Sequence, residues 1–107
     1  MKTDILVVGA GCAGLTAALY AARAGKSVLV LEQDTVGGQI AFSPRVENYP
    51  GIPSISGAAF ADGLLAQVEA LGVRVELETV ERLLPGPPHA VRTDCGVHEA
   101  SAVIVAS

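Results

Sequence analysis

Cysteine is scarce in this chain of 107 residues: there are two, Cys12 and Cys95, and no C-x-x-C pair. Two thiols so far apart in sequence give no reason to expect a structural disulfide in a reducing compartment. Cys12 occupies a variable slot in a glycine turn, and Cys95 sits in the turn signal Asp94-Cys95-Gly96, so both read as bystanders. His89 and His98 have no carboxylate or cysteine cluster around them in the sequence, and no metal site is expected. Positive charge is short as well. Seven Lys and Arg face 11 Asp and Glu, a net charge of −4, which leaves no basic footprint for nucleic acid or an anionic membrane. No apolar run approaches the roughly 20 residues that a bilayer span requires. No charged leader with a cleavage site precedes the first apolar run. The expectation is a cytoplasmic protein with no nucleic-acid or membrane partner. Its length bounds it to one domain with a modest core.

What is present is concentrated near the start. Ile5-Leu6-Val7-Val8 has the length and β-branched content of a strand buried on both faces. Gly9, Gly11 and Gly14 follow at once as G-x-G-x-x-G. An Ala- and Leu-rich segment over residues 15–24 ends at Gly25, and a second apolar run over 27–31 closes at Glu32. Strand, glycine turn, helix, strand and acid, in that order, describe a βαβ dinucleotide-binding unit.

Each residue type has a mechanical reason. Gly9 lets the chain turn sharply out of the strand, Gly11 has no side chain to hold a pyrophosphate off the backbone, and Gly14 lets the helix approach the strand. Unpaired N–H groups around Cys12 and Ala13 and the positive end of the helix dipole then favour an anion. Glu32 stands about 20 residues beyond the glycines, where a carboxylate accepts hydrogen bonds from a ribose 2′-OH and repels a 2′-phosphate. The site is therefore expected to take an adenine dinucleotide without that phosphate, FAD or NAD.

The first helix is expected over 13–24, with Leu15, Ala18, Leu19 and Ala22 facing the sheet, Arg23 in the last turn and Gly25 at the left-handed stop. Residues 33–57 lose all periodicity, yet Ile40, Phe42, Val46, Tyr49, Ile52 and Ile55 make them too apolar for a disordered linker. A loop of this length in a small domain is usually functional, so an ordered loop over a ligand is expected. A second helix is expected over 58–71 from Phe60, Leu64, Val68 and Leu71, with Ser56 as N-cap and Gly72 as stop. Residues 73–78 alternate as a strand with one wet face. Short runs at 80–84, 89–93 and 97–100, separated by turn clusters, suggest an antiparallel meander. Residues 102–106 read as a separate buried strand of the parallel kind. The fold class is α/β, a Rossmann-like βαβ domain whose parallel sheet carries helices and a small antiparallel meander. Because the chain closes directly after its last strand, where a doubly wound sheet binds its ligand, the domain is expected to be incomplete.

Taken together, G-A-G-C-A-G-L-T-A-A-L-Y-A-A-R-A-G, V-G-G-Q-I, V-E-N-Y-P-G-I-P and I-V-A-S resemble the N-terminal FAD-binding part of low-molecular-weight thioredoxin reductases, across essentially the whole chain. The resemblance implies that the pyrophosphate of FAD lies over Gly9, Gly11 and Ala13, with Glu32 and Gln33 at the adenosine ribose. It implies that Gly37, Gly38 and Gln39 approach the flavin and ribityl region, that Asn48 lies near the isoalloxazine ring, and that the backbone of Val80 meets the adenine. It also implies a homodimer, and an NADPH domain with a redox-active C-x-x-C inserted after a strand like 102–106. Residues 1–107 would then be the N-terminal part of an FAD-binding domain, without the NADPH domain, the dithiol or the returning FAD segment. The glutathione-reductase branch is disfavoured, since no cysteine occurs between Glu32 and Asp94.

Three functions follow as expectations. The first is the FAD-binding portion of a thioredoxin reductase-like NAD(P)H-dependent disulfide oxidoreductase, inactive in redox turnover alone, whose intact form would act on a thioredoxin-like protein or another disulfide. The second is the FAD segment of a ferredoxin- or flavodoxin-NADP reductase-like enzyme. The third is a stand-alone, non-catalytic dinucleotide-binding module. No acid, base or nucleophile is expected among the 107 residues.

Overall fold

A computed structural model of the chain, describing residues 2–107, contains a six-stranded sheet of β1 (Lys2–Val8), β2 (Val28–Glu32), β3 (Arg74–Leu77), β4 (Val80–Leu84), β5 (His89–Thr93) and β6 (Gly96–Val105), in the order β3-β2-β1-β6-β5-β4. The sheet is seeded by β1 (Lys2–Val8), whose central residues Leu6 and Val7 point to opposite faces and are both fully buried. A strand with two covered faces must be apolar without alternation, as Ile5–Val8 is. The chain leaves β1 at Gly9, forms helix α1 (Cys12–Arg23), and returns as β2 (Val28–Glu32) beside β1 in parallel. Helix α1 presents Leu15 and Ala18, both fully buried, with Leu19 and Ala22 packed beside them. It stops where Gly25 takes φ +85°, as a left-handed C-terminal glycine should.

Residues 33–56 are ordered by a short 3-10 helix at Gly38–Phe42 and by two isolated bridges, Val46 to Ile55 and Tyr49 to Ile52. Helix α2 (Gly57–Ala70) follows, and the Ser56 hydroxyl caps it by accepting the Ala59 N–H at 3.1 Å. Val68 is its deepest residue. Leu71, expected on the packed face, is instead 44% exposed. It falls at the C-cap, one residue past the last turn, so it no longer shares the helical stripe.

Strand β3 (Arg74–Leu77) adds to β2 in parallel and forms one edge of the sheet. Next come β4 (Val80–Leu84), β5 (His89–Thr93) and β6 (Gly96–Val105), with β4–β5 and β5–β6 antiparallel. Here the expectation of two separate strands at 97–100 and 102–106 is corrected: the whole stretch is one strand of 10 residues. Its first half pairs with β5, and residues 99–105 pair in parallel with β1 along the other edge. Ala100 serves both ladders, opposite His89 on one side and Thr3 on the other. Glu99 and Ser101 break the apolar run without breaking the strand, because both side chains are exposed.

Two buried clusters result. On one face Val7, Val30 and Val28 meet Leu15 and Ala18 of α1 and Val68 of α2. On the other, Leu6, Leu29 and Leu31 pack with Val91 and Ala100, with Val80 and Val103 alongside, so the antiparallel arm covers the second face of the parallel strands. Among the described residues no helix is long and apolar enough to cross a membrane.

Candidate functional site

The carboxyl ends of β1 and β2 open into a cavity of about 610 Å³ lined by Gly9, Gly11, Glu32, Gln33, Gly38, Gln39, Glu78 and Val80, together with Val8, Leu31, Ala106 and Ser107. That is ordinary space for a cofactor, and the end of a parallel sheet is where such folds bind one.

The glycine bend is tied down from several sides. The Gly9 N–H donates to the Leu31 carbonyl at 2.8 Å, and the Ala106 N–H to the Val8 carbonyl at 2.8 Å. Gly9 has φ +107°, and a Cβ there would stand 2.7 Å from the Ala106 carbonyl oxygen, so only glycine fits between these strand ends. Gly14 is excluded from bearing a side chain by packing: a Cβ would run into the Gly9 carbonyl oxygen. Gly11 differs from both. Its φ is −77°, suited to any residue, and a Cβ there would meet no protein atom within 4 Å. Sterics inside the protein do not require glycine at this position; its bareness matters to whatever occupies the cavity. Gly11 is also the N-cap of α1, and no side chain caps that first turn. The first N–H groups of α1, with the positive end of its dipole, thus remain for an anion.

Glu32 reaches back into the bend. Its Oε1 accepts the Ala10 N–H at 2.8 Å and its Oε2 accepts the Asp34 N–H at 2.9 Å. A carboxylate has about four acceptor positions, so these two bonds orient it and leave capacity for ligand hydroxyls. From the other side the Gly37 N–H donates to the Ala10 carbonyl at 2.6 Å. That bond brings the 3-10 helix over the bend, and a Cβ on Gly38 would lie 3.4 Å from the Gly11 Cα.

Of the residues singled out in the sequence, Gly9, Gly11, Glu32, Gln33, Gly38, Gln39 and Val80 share this cavity. Ala13, Gly14, Gly37 and Asn48 do not line it. Ala13 is exposed in the first turn of α1, while Gly14 is buried beneath the bend. Gly37, at φ +95°, is pressed against α2, where a Cβ would stand 2.6 Å from that of Ala61. Asn48 is exposed on the loop between the Val46–Ile55 and Tyr49–Ile52 bridges.

Sequence reasoning missed Glu78. It follows β3 directly, its N–H donates to the Glu32 carbonyl at 3.0 Å, and it stands on the cavity wall two residues before Val80. His98 has one carboxylate partner, which the sequence did not show. His98 Nε2 lies 2.8 Å from Glu78 Oε1, and the Thr93 hydroxyl donates to the same oxygen at 2.6 Å. Both side chains of the pair are about nine-tenths buried, at 11% and 12% exposure. The hydrogen bonds from Thr93 and then His98 hold the Glu78 carboxyl below its ordinary pKa, against burial. The pairing is not legible in sequence because two successive hairpins, β4–β5 and β5–β6, are needed to bring residues 20 apart together. A cluster of one sign would have been visible in sequence; a single acid and a single histidine were not.

Chemically, the cavity has an anion-accepting end at the glycine bend and an acidic end at Glu32 and Glu78. A ligand with a diphosphate in its middle and hydroxyls and a base at one end matches that polarity. A ribose bearing a further phosphate does not.

Comparison with known proteins shows what the chain is similar to. The FAD binding domain family matches residues 4–45. A 34.2 kDa protein in the rubredoxin operon of Clostridium pasteurianum is 40% identical over 108 residues, covering 99% of this chain and 35% of that protein. Thioredoxin reductase of Bacillus subtilis is 34% identical over 105 residues, covering 97% of this chain and 33% of its own length. The crystal structure of thioredoxin reductase from Streptococcus pyogenes superposes with a TM-score of 0.95 at 38% identity, over 99% of this chain and 35% of that one. The chain thus spans about a third of the length of the relatives it matches.

Proposed function

We propose that the chain belongs with the thioredoxin reductase-like FAD-binding proteins to which it is similar, and that residues 1–107 form the N-terminal part of an FAD-binding domain in a longer disulfide oxidoreductase. The observation that carries the reading is the joint placement of the bare Gly11, the uncapped start of α1 and the anchored Glu32 carboxylate around one cavity. The N–H groups at the start of α1 bind the pyrophosphate, Glu32 and Gln33 orient the adenosine ribose, and the Val80 backbone flanks the adenine. Gly38 and Gln39 lie over the phosphates and the ribityl chain. Outside the cavity, Ala13 is assigned to the pyrophosphate, Gly37 to the flavin and ribityl region and Asn48 to the isoalloxazine ring, all on family resemblance alone.

FAD supplies two-electron transfer between a nicotinamide donor and a disulfide; the protein supplies binding, orientation and electrostatics. No C-x-x-C occurs in the 107 residues, so the dithiol and the NADPH site of the proposed enzyme are assigned to the remainder of a longer protein. Its electron acceptor would be a thioredoxin-like protein, and its working form a homodimer in the cytoplasm. The chain's own contribution is to hold the cofactor, without a catalytic acid, base or nucleophile.

The test is a titration of FAD into the purified chain, followed by flavin fluorescence. A stoichiometric, quenched complex is expected. A folded protein that leaves the fluorescence unchanged up to millimolar concentration would overturn the reading.

A further inference from the structure

Within the site proposed above, on whose reading this inference rests, one group has no assigned task. Glu78 is a carboxylate about nine-tenths buried on the wall of a cavity for an anionic ligand. Burying a carboxylate is expensive unless donors surround it, and this chain provides two. The Thr93 hydroxyl and His98 Nε2 both point to Oε1, at 2.6 and 2.8 Å. An ionised carboxylate only accepts, so Nε2 carries the hydrogen. The other ring nitrogen, Nδ1, is buried with no partner among the described residues. A buried, unpartnered nitrogen is itself costly, so the hydrogen bond to Glu78 is what the imidazole contributes here. Both donors converge on one oxygen, and none of the described residues donates to Oε2.

Glu78 lines the cavity, and its position along the wall indicates what its carboxylate would meet. The glycine bend takes the phosphates and Glu32 takes the ribose. The Glu78 N–H is bonded to the Glu32 carbonyl, and Val80 follows two residues later on the same wall. Glu78 therefore stands beyond the sugar, at the base. We propose that Glu78, fixed by Thr93 and His98, is a specificity-determining residue for the base: its carboxylate accepts a hydrogen bond from the exocyclic amine of adenine and disfavours a purine with a carbonyl at that position. Replacing the amine by a carbonyl sets two acceptors against each other, and a polar site loses far more from a mismatched partner than from a missing methylene.

The experiment compares ADP with IDP, which differ in the 6-amino and 6-oxo groups alone, by calorimetric titration into the full 107-residue chain. ADP is expected to bind about tenfold tighter than IDP, the scale of one charged hydrogen bond. Glu78→Gln should bring the ratio close to one, because an amide can turn its donor towards a carbonyl. If Glu78→Gln does not fold, Glu78→Asp takes its place; it keeps the charge but withdraws it by one methylene, and the ratio should fall in the same direction. Equal affinities for ADP and IDP in the unaltered chain, or a ratio that survives both substitutions, would overturn the role of Glu78 and leave the site reading intact. Failure of both nucleotides to bind would overturn the site reading, and this role with it.

Discussion

The Glu32 carboxylate holds the Ala10 N–H at 2.8 Å, so the end of β2 and the middle of the glycine bend are one unit, although 22 residues separate them. A carboxylate placed only to receive a ribose would need no such bond; this one also shapes the bend. Glu32→Gln keeps one acceptor oxygen and loses the charge. The expected result is a loss of about 2 kcal/mol in FAD affinity, within the range for a hydrogen bond to a charged group. Calorimetry measures the affinity and urea unfolding measures the fold. Unchanged affinity would remove Glu32 from ribose recognition.

Gly11 and Gly14 belong to the same motif but are kept bare for different reasons, so their substitutions should separate fold from function. Gly11→Ala adds a methyl group that touches no protein atom, at a φ of −77° that alanine tolerates. Its stability should stay within about 1 kcal/mol of the original, given that alanine is only a poorer N-cap than glycine. FAD affinity should fall at least about tenfold because the methyl enters the space of the pyrophosphate. Equal binding by both proteins would show that no phosphate lies against Gly11.

Gly14→Ala should do the reverse. The new methyl collides with the Gly9 carbonyl oxygen, which is backbone and cannot rotate away. Overpacking of this kind costs about 1–3 kcal/mol or more. The urea midpoint, followed by far-ultraviolet circular dichroism, should drop before any ligand is added. A variant as stable as the original would mean that α1 can slide off β1.

What could be read from the chain alone was what depends on neighbours in sequence. The turn at Gly25, the Ser56 cap on Ala59 and the Leu15–Ala18 face of α1 are all local, and each is where spacing put it. The unity of β6 was not legible, because it depends on Ala100 pairing with Thr3 on one edge and His89 on the other. No local signal distinguishes that from two strands with a polar gap. Glu78 and His98 were missed for the same reason, since only the pairing of β4, β5 and β6 brings them together. Half the candidate site was therefore visible as a motif, and the acidic wall beyond Glu32 emerged only from the sheet.

That wall also has a consequence for acid stability. The Glu78 carboxyl titrates below its ordinary value of 4.5 in the folded chain, chiefly because of the Thr93 hydroxyl and then His98. A carboxyl with a depressed folded pKa binds protons more readily when unfolded, so it stabilises the fold above pH 4.5. That contribution disappears as pH falls through the lower, folded value. Asp4 is shifted in the same direction by the Ser27 N–H and hydroxyl, but it is fully exposed, and its share is screened by solvent. Glu78→Gln should accordingly lower stability near neutral pH and flatten the dependence below pH 4.5, so that the two proteins converge in acid. Urea midpoints from about pH 3 to 6 check this. Parallel curves for the two proteins would assign the acid sensitivity to other carboxylates.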